Sequence, residues 1–231
     1  MSLCSQIHHE LHRAINEILG SLDLPGACLL DVGCWNGVEC ESYGASLKTR
    51  RLLGVEIFEA QALEAESRGI VVARVNLEQE ALPWADASVD VVVCNQVFEH
   101  LKDVFRPLDE IARVLKPGGR LVISVPNLAS LHNRVMLAVG RQPTSIRIFG
   151  PHVRGFAKGE FESFLITGGL FSCEQVRGVG FHPLPPGMGG NMLGNMLRGA
   201  CHTPIWVLRR TSAREFSFTG AYRERSEQTL M

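Results

Sequence analysis

The stretch that decides the fold is Leu29-Leu-Asp-Val-Gly-Cys-Trp-Asn-Gly37. It begins as an apolar run typical of a buried parallel strand, and the run ends at Asp31, before a tight turn that contains Gly33 and Gly37. In an open α/β sheet, such a turn forms a ligand crevice at the carboxyl ends of the strands. Glycine at position 33 lets a ligand approach the backbone without a Cβ in the way.

The residues around this turn indicate what kind of ligand it binds. A dinucleotide fingerprint that starts at Gly33 would need glycine at positions 35 and 38, where the chain has Trp35 and Val38. A carboxylate at Asp31 disfavours a phosphate and favours a ligand with cationic groups. Glu56 follows the next apolar run, where a carboxylate can accept hydrogen bonds from both hydroxyls of a ribose. The sequence therefore predicts a nucleoside ligand that carries positive charge.

Further apolar runs predict the rest of the sheet. They alternate with helical segments, which predicts right-handed βαβ units and a doubly wound, mainly parallel α/β sheet. The runs lie at 52–56, 70–75, 89–94, 120–125, 171–177 and 204–210. After the third strand, Asn76 and Leu77 offer an amide and an apolar wall to an adenine ring. The fourth strand leads into Asn95 and Gln96, at the rim of the same crevice.

The chain is long enough for one α/β domain, which we expect over residues 1–211. Within it, residues 1–20 form an N-terminal segment in which we expect a helix at about 5–19. We also expect a clear helix at 104–115, with Asp103 as its cap. Residues 126–158 have turn formers and basic residues, which indicates a segment on the substrate side. Residues 212–231 are polar enough to form a flexible tail.

Four motifs, in this order and spacing, resemble the class I S-adenosylmethionine-dependent methyltransferases. They are Leu-Leu-Asp-Val-Gly-Cys-x-x-Gly from residue 29, Leu-Pro-Trp-Ala-Asp-Ala-Ser-Val-Asp-Val-Val-Val-Cys-Asn from residue 82, Val-Phe-Glu-His-Leu from residue 97, and Glu-Ile-Ala-Arg-Val-Leu-Lys-Pro-Gly-Gly-Arg-Leu-Val-Ile-Ser-Val-Pro-Asn from residue 110. The resemblance covers residues 27–126. It implies a Rossmann-like, seven-stranded sheet with a reversed last strand, and a methyltransferase that uses S-adenosyl-L-methionine.

The resemblance also implies roles for particular residues of this chain. The methionine end of the cofactor would lie against Asp31, Gly33 and Gly37, and its ribose against Glu56. The adenine and sulfonium surroundings would be Asn76, Leu77 and Asn95, and the expected cofactor-binding set also includes Cys34, Ile57 and Gln96. Two positions depart from the family: Trp35 stands where a small residue is usual, and Asn76 where many members have aspartate.

The acceptor is expected to be a small molecule or a glycan-type compound. A hydroxyl acceptor would benefit from a base, and the candidates are His152, His132 and His100, in that order of preference. Between Pro126 and Lys158 the chain has no Asp or Glu, but it has five cations: Arg134, Arg141, Arg147, Arg154 and Lys158. One hypothesis is that the acceptor carries phosphate or carboxylate. The alternative is a solvated basic surface with counter-charges from elsewhere in the fold.

Composition excludes several other classes of protein. The formal net charge of −1 creates no field that would gather nucleic acid, which is therefore an unfavoured partner. The apolar runs are far shorter than a membrane span, and the first residues do not form a secretory signal, so we expect a cytoplasmic protein. The seven cysteines are scattered and form no Cys-x-x-Cys pair. His8, His9 and His12 have no convincing carboxylate or cysteine partner in the sequence, so we expect no metal site.

Two alternatives to this function remain open at the level of sequence. The acceptor could be a lipid or a quinone precursor, which the apolar patches at 135–139 and 188–197 would suit. The chain could also be a non-catalytic module that binds a nucleoside or a protein partner, and Trp35 in the turn favours that reading. The sequence does not indicate the oligomeric state.

Overall fold

The structure is a computed structural model that describes residues 3–213 and 216–229. The strands are β1 (Leu29–Val32), β2 (Leu52–Val55), β3 (Val71–Ala73), β4 (Val89–Asn95), β5 (Leu115–Ser124), β6 (Phe171–Val179) and β7 (Thr203–Arg210). The α-helices are α1 (Leu3–Ser21), α2 (Val38–Ser46), α3 (Glu59–Ser67), α4 (Phe105–Val114), α5 (Leu131–Ala138), α6 (Lys158–Ile166), α7 (Gly190–Met196) and α8 (Phe218–Thr229). A short 3₁₀ helix, Phe98–His100, follows β4.

The seven strands form one sheet in the order β3-β2-β1-β4-β5-β7-β6. β1 to β5 pair in parallel, whereas β7 runs antiparallel to both β5 and β6. This confirms the predicted Rossmann-like sheet with a reversed last strand. The strand order reverses beside β1, because β2 lies on one side of it and β4 on the other, and a ligand crevice opens at such a point.

The sheet is covered by helices on both faces, as the continuous apolar runs predict. Successive residues of β4 point to opposite faces: Val92 and Cys94 pack into one core cluster, and Val91 and Val93 into the other. The first cluster includes buried residues of α4, α6 and α8, and the second includes buried residues of α1, α2 and α3. The fully buried central strands hold their carboxyl ends rigidly in place under the crevice.

The start of α4 shows how a local signal sets an element boundary. The carboxylate of Asp103 accepts hydrogen bonds from the backbone N–H groups of Phe105 (2.8 Å) and Arg106 (3.3 Å). These N–H groups have no partner within the helix, so Asp103 caps it as predicted. β5 begins at Leu115, earlier than the predicted 120, because Leu115 already pairs with Val89 of β4.

The C-terminal segment differs from the expected tail. Residues Phe218–Thr229 form α8, which packs against α4. Phe218 is only 2% exposed, and Asp109 of α4 accepts hydrogen bonds from the backbone N–H groups of Phe218 (2.7 Å) and Thr219 (3.0 Å). The sequence pattern missed this helix because its anchor, Asp109, lies far away in the chain. Residues 214–215 and 230–231 of the expected tail lie outside the described residues.

No helix in residues 3–213 and 216–229 has the length and apolarity that a membrane crossing requires.

Candidate functional site

Gly33 begins the turn after β1 in a conformation that only glycine adopts easily. Its φ is 79°, in the left-handed region, and its N–H donates to the carbonyl oxygen of Val55 at 2.9 Å. A Cβ at this position would lie 2.7 Å from Cγ2 of Val97, in the segment after β4. Both the backbone angle and the packing therefore require glycine here.

Gly37 is required by packing at the start of α2. A Cβ on Gly37 would lie 2.6 Å from Cδ1 of Ile70 and 2.9 Å from Cα of Ala65 in α3. Gly37 is thus needed where the start of α2 approaches α3, and it does not line either of the cavities described below. Between the two glycines, Trp35 also has a positive φ of 48°, and its side chain is 54% exposed.

Two cavities lie on either side of this turn. The Glu56 cavity has a volume of about 460 Å³, and of the predicted residues it is lined by Gly33, Glu56, Ile57, Asn76, Leu77 and Gln96. The Asp31 cavity has a volume of about 530 Å³, and of the predicted residues it is lined by Asp31, Gly33, Cys34, Asn95 and Gln96. Gly33, Trp35 and Gln96 line both cavities. The two cavities therefore adjoin at these three residues.

The carboxylate of Glu56 is held in place by the turn. Glu56 is 6% exposed; its Oε2 accepts from the backbone N–H of Trp35 at 3.0 Å, and its Oε1 accepts from that of Phe58 at 2.9 Å. Each carboxylate oxygen has a second lone pair, so both can still accept a hydrogen bond from a ligand. This arrangement fits two neighbouring ribose hydroxyls.

Asp31 gives the second cavity its electrostatic character. It is 4% exposed, and burial raises the pKa of its carboxyl to about 7, with smaller contributions from the nearby Glu39 and Glu56. A buried carboxyl beside two other acids is stabilised by any cation that approaches it. The ammonium and sulfonium groups of S-adenosylmethionine are such cations, so the residues of this cavity fit that cofactor.

The amides of Asn95 and Gln96, at the end of β4, are held by one hydroxyl. Ser124 Oγ donates to Oδ1 of Asn95 at 2.6 Å and accepts from Nε2 of Gln96 at 3.1 Å. Gln96 also has a positive φ of 58°. The hydroxyl of Ser124, at the end of β5, thus fixes the orientation of two side chains at the point where the cavities meet.

The Asp31 cavity also contains residues that the sequence analysis did not assign to it: His8, His12, Glu39 and Tyr43. His12 Nδ1 lies 2.8 Å from the hydroxyl of Tyr43 and 3.0 Å from Oε2 of Glu39, and its Nε2 lies 3.0 Å from Nε2 of His8. The four-residue spacing of His8 and His12 indicates that they share one face of α1. Their position over the Asp31 cavity, however, depends on how α1 packs onto the sheet.

The structure brings together two of the three histidines proposed as bases. His100 lines the Glu56 cavity, and its ring centroid is 4.8 Å from that of His152. His132 lies instead in another group, with its ring centroid 5.0 Å from that of His182. The segment that carries His152 is anchored beside His100, because the N–H groups of Val153 and Arg154 both donate to the carbonyl oxygen of Glu99.

Glu99, beside His100, is buried without a partner. It is 1% exposed, and neither of its carboxylate oxygens has a hydrogen-bond partner within residues 3–213 and 216–229. Burial raises the pKa of this carboxyl to about 8. Burial, followed by the neighbouring His152, lowers the pKa of His100. The sequence analysis assigned no role to Glu99, since an isolated Glu-His pair does not reveal its burial.

The basic residues of the 126–158 segment are partly engaged by the protein itself. The guanidinium of Arg154 donates to the carbonyl oxygen of Lys102, and Lys158 forms an ion pair with Glu162. Arg147 is exposed, on the same segment as His152. The expected counter-charge from elsewhere in the fold is therefore present for Lys158.

A further cavity, of about 540 Å³, lies at the opposite end of the sheet, lined in part by Asp86, Asp109, Arg113 and Arg210. It lies before the amino end of β4, whereas open α/β sheets bind ligands at the carboxyl ends of their strands. Arg113 is occupied there by ion pairs with Asp86 and Glu110. The Glu56 and Asp31 cavities, in contrast, lie at the carboxyl ends of β1, β2 and β4.

Comparison with known proteins agrees with this geometry. Residues 30–123 match a family model described as a methyltransferase domain. A probable S-adenosylmethionine-dependent methyltransferase of Mycolicibacterium smegmatis is 37% identical over 162 residues, which are 68% of this chain and 56% of that protein. A ubiquinone biosynthesis O-methyltransferase of Xylella fastidiosa is 33% identical over 179 residues, which are 73% of this chain and 70% of that protein.

Solved structures show the same fold. An S-adenosylmethionine-dependent methyltransferase of Mesorhizobium loti superposes with a TM-score of 0.59 at 19% identity, over 84% of this chain and 96% of that one. The chain spans little more than half the length of the mycobacterial relative. The family model, the relatives and the paired cavities agree: the chain belongs to the class I S-adenosylmethionine-dependent methyltransferases.

Proposed function

We propose that this chain transfers a methyl group from S-adenosylmethionine to a hydroxyl group of a small-molecule or glycan-type acceptor. The observation that carries the proposal is the pair of joined cavities, with the Glu56 carboxylate in one and the buried Asp31 carboxyl in the other. The first matches a ribose and the second a cationic amino-acid end, so the two together match the two halves of the cofactor.

The residues of the chain would hold the cofactor as follows. Glu56 accepts from the ribose hydroxyls, Asn76 and Leu77 lie against the adenine, and Asp31 stabilises the cationic end. Gln96 and Gly33 lie at the junction of the cavities, where the sulfur would be. When bound, S-adenosylmethionine supplies a methyl group on a positively charged sulfur, which leaves as a neutral thioether.

The acceptor would bind on the side of the site where His100 and His152 lie. A new C–O bond forms at the acceptor oxygen while its proton must go to another group, and the imidazole of His100 lines the Glu56 cavity. Holding the acceptor in line at contact distance supplies much of the acceleration in a transfer from such a reactive donor. We therefore place the acceptor hydroxyl beside the His100–His152 pair, and we assign no such contact to His132.

An anionic group on the acceptor is supported by Arg147. It is exposed on the same segment as His152, and a guanidinium binds phosphate or carboxylate with two parallel hydrogen bonds. Arg154 is less suited to this role because its guanidinium already donates to the carbonyl oxygen of Lys102.

A second candidate acceptor is an apolar one, such as a quinone precursor or a lipid. The observation in its favour is the exposure of large apolar side chains on the same segment: Val135, Val139, Ile148 and Phe149 are 54%, 63%, 83% and 104% exposed. The printed name of the Xylella fastidiosa relative, a ubiquinone biosynthesis O-methyltransferase, supports the same acceptor class.

Calorimetry with S-adenosylhomocysteine tests the cofactor site, and saturable binding at a ratio of one is expected. Absence of binding at millimolar ligand would instead favour the non-catalytic alternative. Turnover is then measured on a panel of phenols, glycans, phosphorylated hydroxy compounds and quinone precursors. Methylation of a hydroxyl in at least one class is expected, whereas transfer to amines alone would contradict the proposed chemistry.

The charge of the acceptor is tested with Arg147→Gln. If Arg147 binds an anionic group, this variant loses turnover on anionic acceptors and retains affinity for S-adenosylhomocysteine. Arg50→Gln is the matched control, since Arg50 is exposed just before the amino end of β2, at the opposite end of the sheet. Equal loss in both variants, or turnover confined to neutral acceptors, would refute the role of Arg147.

A further inference from the structure

Three side chains at the edge of the Glu56 cavity have the composition of a metal site. Glu99, His100 and His152 each offer a ligating atom, and these atoms all lie within 4.8 Å of one another. Within residues 3–213 and 216–229 this is the one group of three or more His, Cys, Asp or Glu with such spacing. From the sequence, metal binding was considered only for His8, His9 and His12 and was not expected. His152 is distant in the chain from the Glu99-His100 pair, so local spacing does not bring these three residues together.

In both histidines Nδ1 lies against a backbone carbonyl oxygen, which leaves Nε2 as the candidate ligand atom. Nδ1 of His152 lies 2.7 Å from the carbonyl oxygen of Ser145, and Nδ1 of His100 lies 3.3 Å from that of Pro151. A carbonyl oxygen only accepts hydrogen bonds, so each Nδ1 carries the proton and each Nε2 keeps a free lone pair. A backbone carbonyl that binds the second nitrogen is a common feature of metal-ligating histidines.

The buried carboxylate of Glu99 is a second observation, independent of the spacing of the three side chains. Both of its carboxylate oxygens are buried and have no hydrogen-bond partner in the described chain. Leaving a buried polar group without a partner costs free energy. Its own backbone carbonyl binds the N–H groups of Val153 and Arg154, which holds the His152 segment against it. A cation between Glu99 and the two histidines would satisfy these oxygens.

We propose that Glu99, His100 and His152 bind one divalent first-row transition-metal ion. Two imidazoles and one carboxylate suit Zn²⁺, Fe²⁺, Mn²⁺ or Co²⁺, whereas Mg²⁺ and Ca²⁺ prefer all-oxygen sites. Bonds of about 2.0–2.2 Å place neighbouring ligands ~3 to 3.5 Å apart, so separations between the ligand atoms must shorten by up to roughly 1.5 Å. Three protein ligands leave at least one coordination position for a further oxygen.

The other histidine cluster cannot hold an ion in the same way. In the cluster of His8, His12 and Glu39, the ring of His12 lies between its two neighbours, with Nε2 toward His8 and Nδ1 toward Glu39. One ion cannot bind all three side chains unless this ring is displaced. The His8–His12 pair is nevertheless a competing two-ligand site that the experiment must separate.

The catalytic role of the ion rests on the proposed function, whereas the metal site itself does not. An acceptor hydroxyl that binds the open position would have its pKa lowered by the ion and would release its proton to solvent water, because neither imidazole could act as the base while it binds the ion. The free Nε2 atoms of His100 and His152 would then be ligands of the ion. Because His100 lines the Glu56 cavity, the ion would lie at the edge of that cavity.

The test is a titration of the chelator-treated full chain with Co²⁺, followed by its visible absorption and by calorimetry, and with Zn²⁺ as competitor. One Co²⁺ per chain is expected, displaced by Zn²⁺. His152→Gln and Glu99→Gln should each weaken Co²⁺ binding by roughly 100-fold or more, since each removes a ligand. His9→Gln, which removes an exposed histidine from α1, is the matched control and should bind Co²⁺ as the wild type does.

The folded state of each variant is checked by its affinity for S-adenosylhomocysteine, which is expected to stay within a few fold of the wild type. Absence of saturable Co²⁺ binding in the wild type, or its persistence in His152→Gln, would overturn the proposal. Loss of binding in His12→Gln with retention in His152→Gln would assign the ion to α1 and also overturn it.

Activity separates the two proposals. Turnover that falls after chelation and recovers with Co²⁺ or Zn²⁺ supports a catalytic role for the ion. Full turnover without metal would leave the methyltransferase function intact and refute that role. Metal binding without any affinity for S-adenosylhomocysteine would refute the proposed function and leave the metal site standing.

Discussion

Replacing Asp31 with Asn should change how the stability of the protein depends on pH. Asp31 is 4% exposed, and burial raises the pKa of its carboxyl to about 7 in the folded state. In the unfolded chain the pKa of an aspartate is ~4. The folded state therefore binds this proton more tightly than the unfolded state does. The contribution of Asp31 to stability is complete below pH ~4 and is lost as the pH rises through about 7.

The size of the effect follows from the two pKa values. A difference of about 3 in pKa corresponds to about 4 kcal/mol, of which about 3 kcal/mol is lost between pH 4.5 and pH 7.5. Asparagine does not titrate, so Asp31→Asn should lack this loss. Relative to the variant, the free energy of unfolding of the wild type should fall by about 3 kcal/mol over that interval.

Urea denaturation of both proteins at several pH values between 4.5 and 8 measures the difference. Other groups that titrate, including Glu99, are present in both proteins, so their contributions largely cancel. S-adenosylhomocysteine, whose ammonium favours the ionised Asp31, should also release protons when it binds the wild type near pH 7. Parallel stability curves for the two proteins would show that Asp31 does not titrate in this range.

Three other changes test the site and the fold. Glu56→Ala should weaken S-adenosylhomocysteine binding by about 1.5–3 kcal/mol in calorimetry, the range for hydrogen bonds to charged groups, and unchanged affinity would remove Glu56 from the site. Gly33→Ala should destabilise the protein by ~2 kcal/mol or more in urea denaturation, because φ is positive at this position and Val97 lies close to it. Adding Val97→Ala should recover only the part of this loss that comes from the clash with Val97. If the double variant is as unstable as Gly33→Ala, the contact with Val97 carries no energy. Phe218→Ala should lower the free energy of unfolding by about 3–5 kcal/mol, because Phe218, the first residue of α8, is only 2% exposed. A loss below ~1 kcal/mol would show that α8 is not docked in solution.

Much of the proposed cofactor site could be predicted from the sequence because it lies on neighbouring strand ends. Asp31, Glu56, Asn76 and Asn95 each follow an apolar run, and parallel strands bring their carboxyl ends to one edge of the sheet. Local pattern and the rule for parallel connections are enough to place them together. Glu56, Asn76 and Leu77 do line one cavity, and Asp31 and Asn95 the other.

A motif position does not state what the residue packs against. Gly37 has the spacing of a cofactor-binding glycine, but its missing side chain makes room for Ala65 and Ile70. His132 and His152 lie in the same basic segment, and only His152 meets His100. The path of that segment depends on hydrogen bonds to Glu99 and Lys102, and no periodic pattern in the sequence predicts these bonds.

The sequence by itself determined the mainly parallel sheet and the crevice at the strand ends, since these follow from short-range hydrophobic pattern and turn chemistry, and its resemblance to the family implied the reversed last strand. Tertiary structure alone decided three things: the docking of His8 and His12 over the Asp31 cavity, the burial of Glu99 beside two histidines, and the anchoring of α8 by Asp109. Each joins residues that are far apart in the chain. Their proximity is set by the packing of whole helices and loops onto the sheet, and the neighbours of each residue along the chain carry little information about that packing.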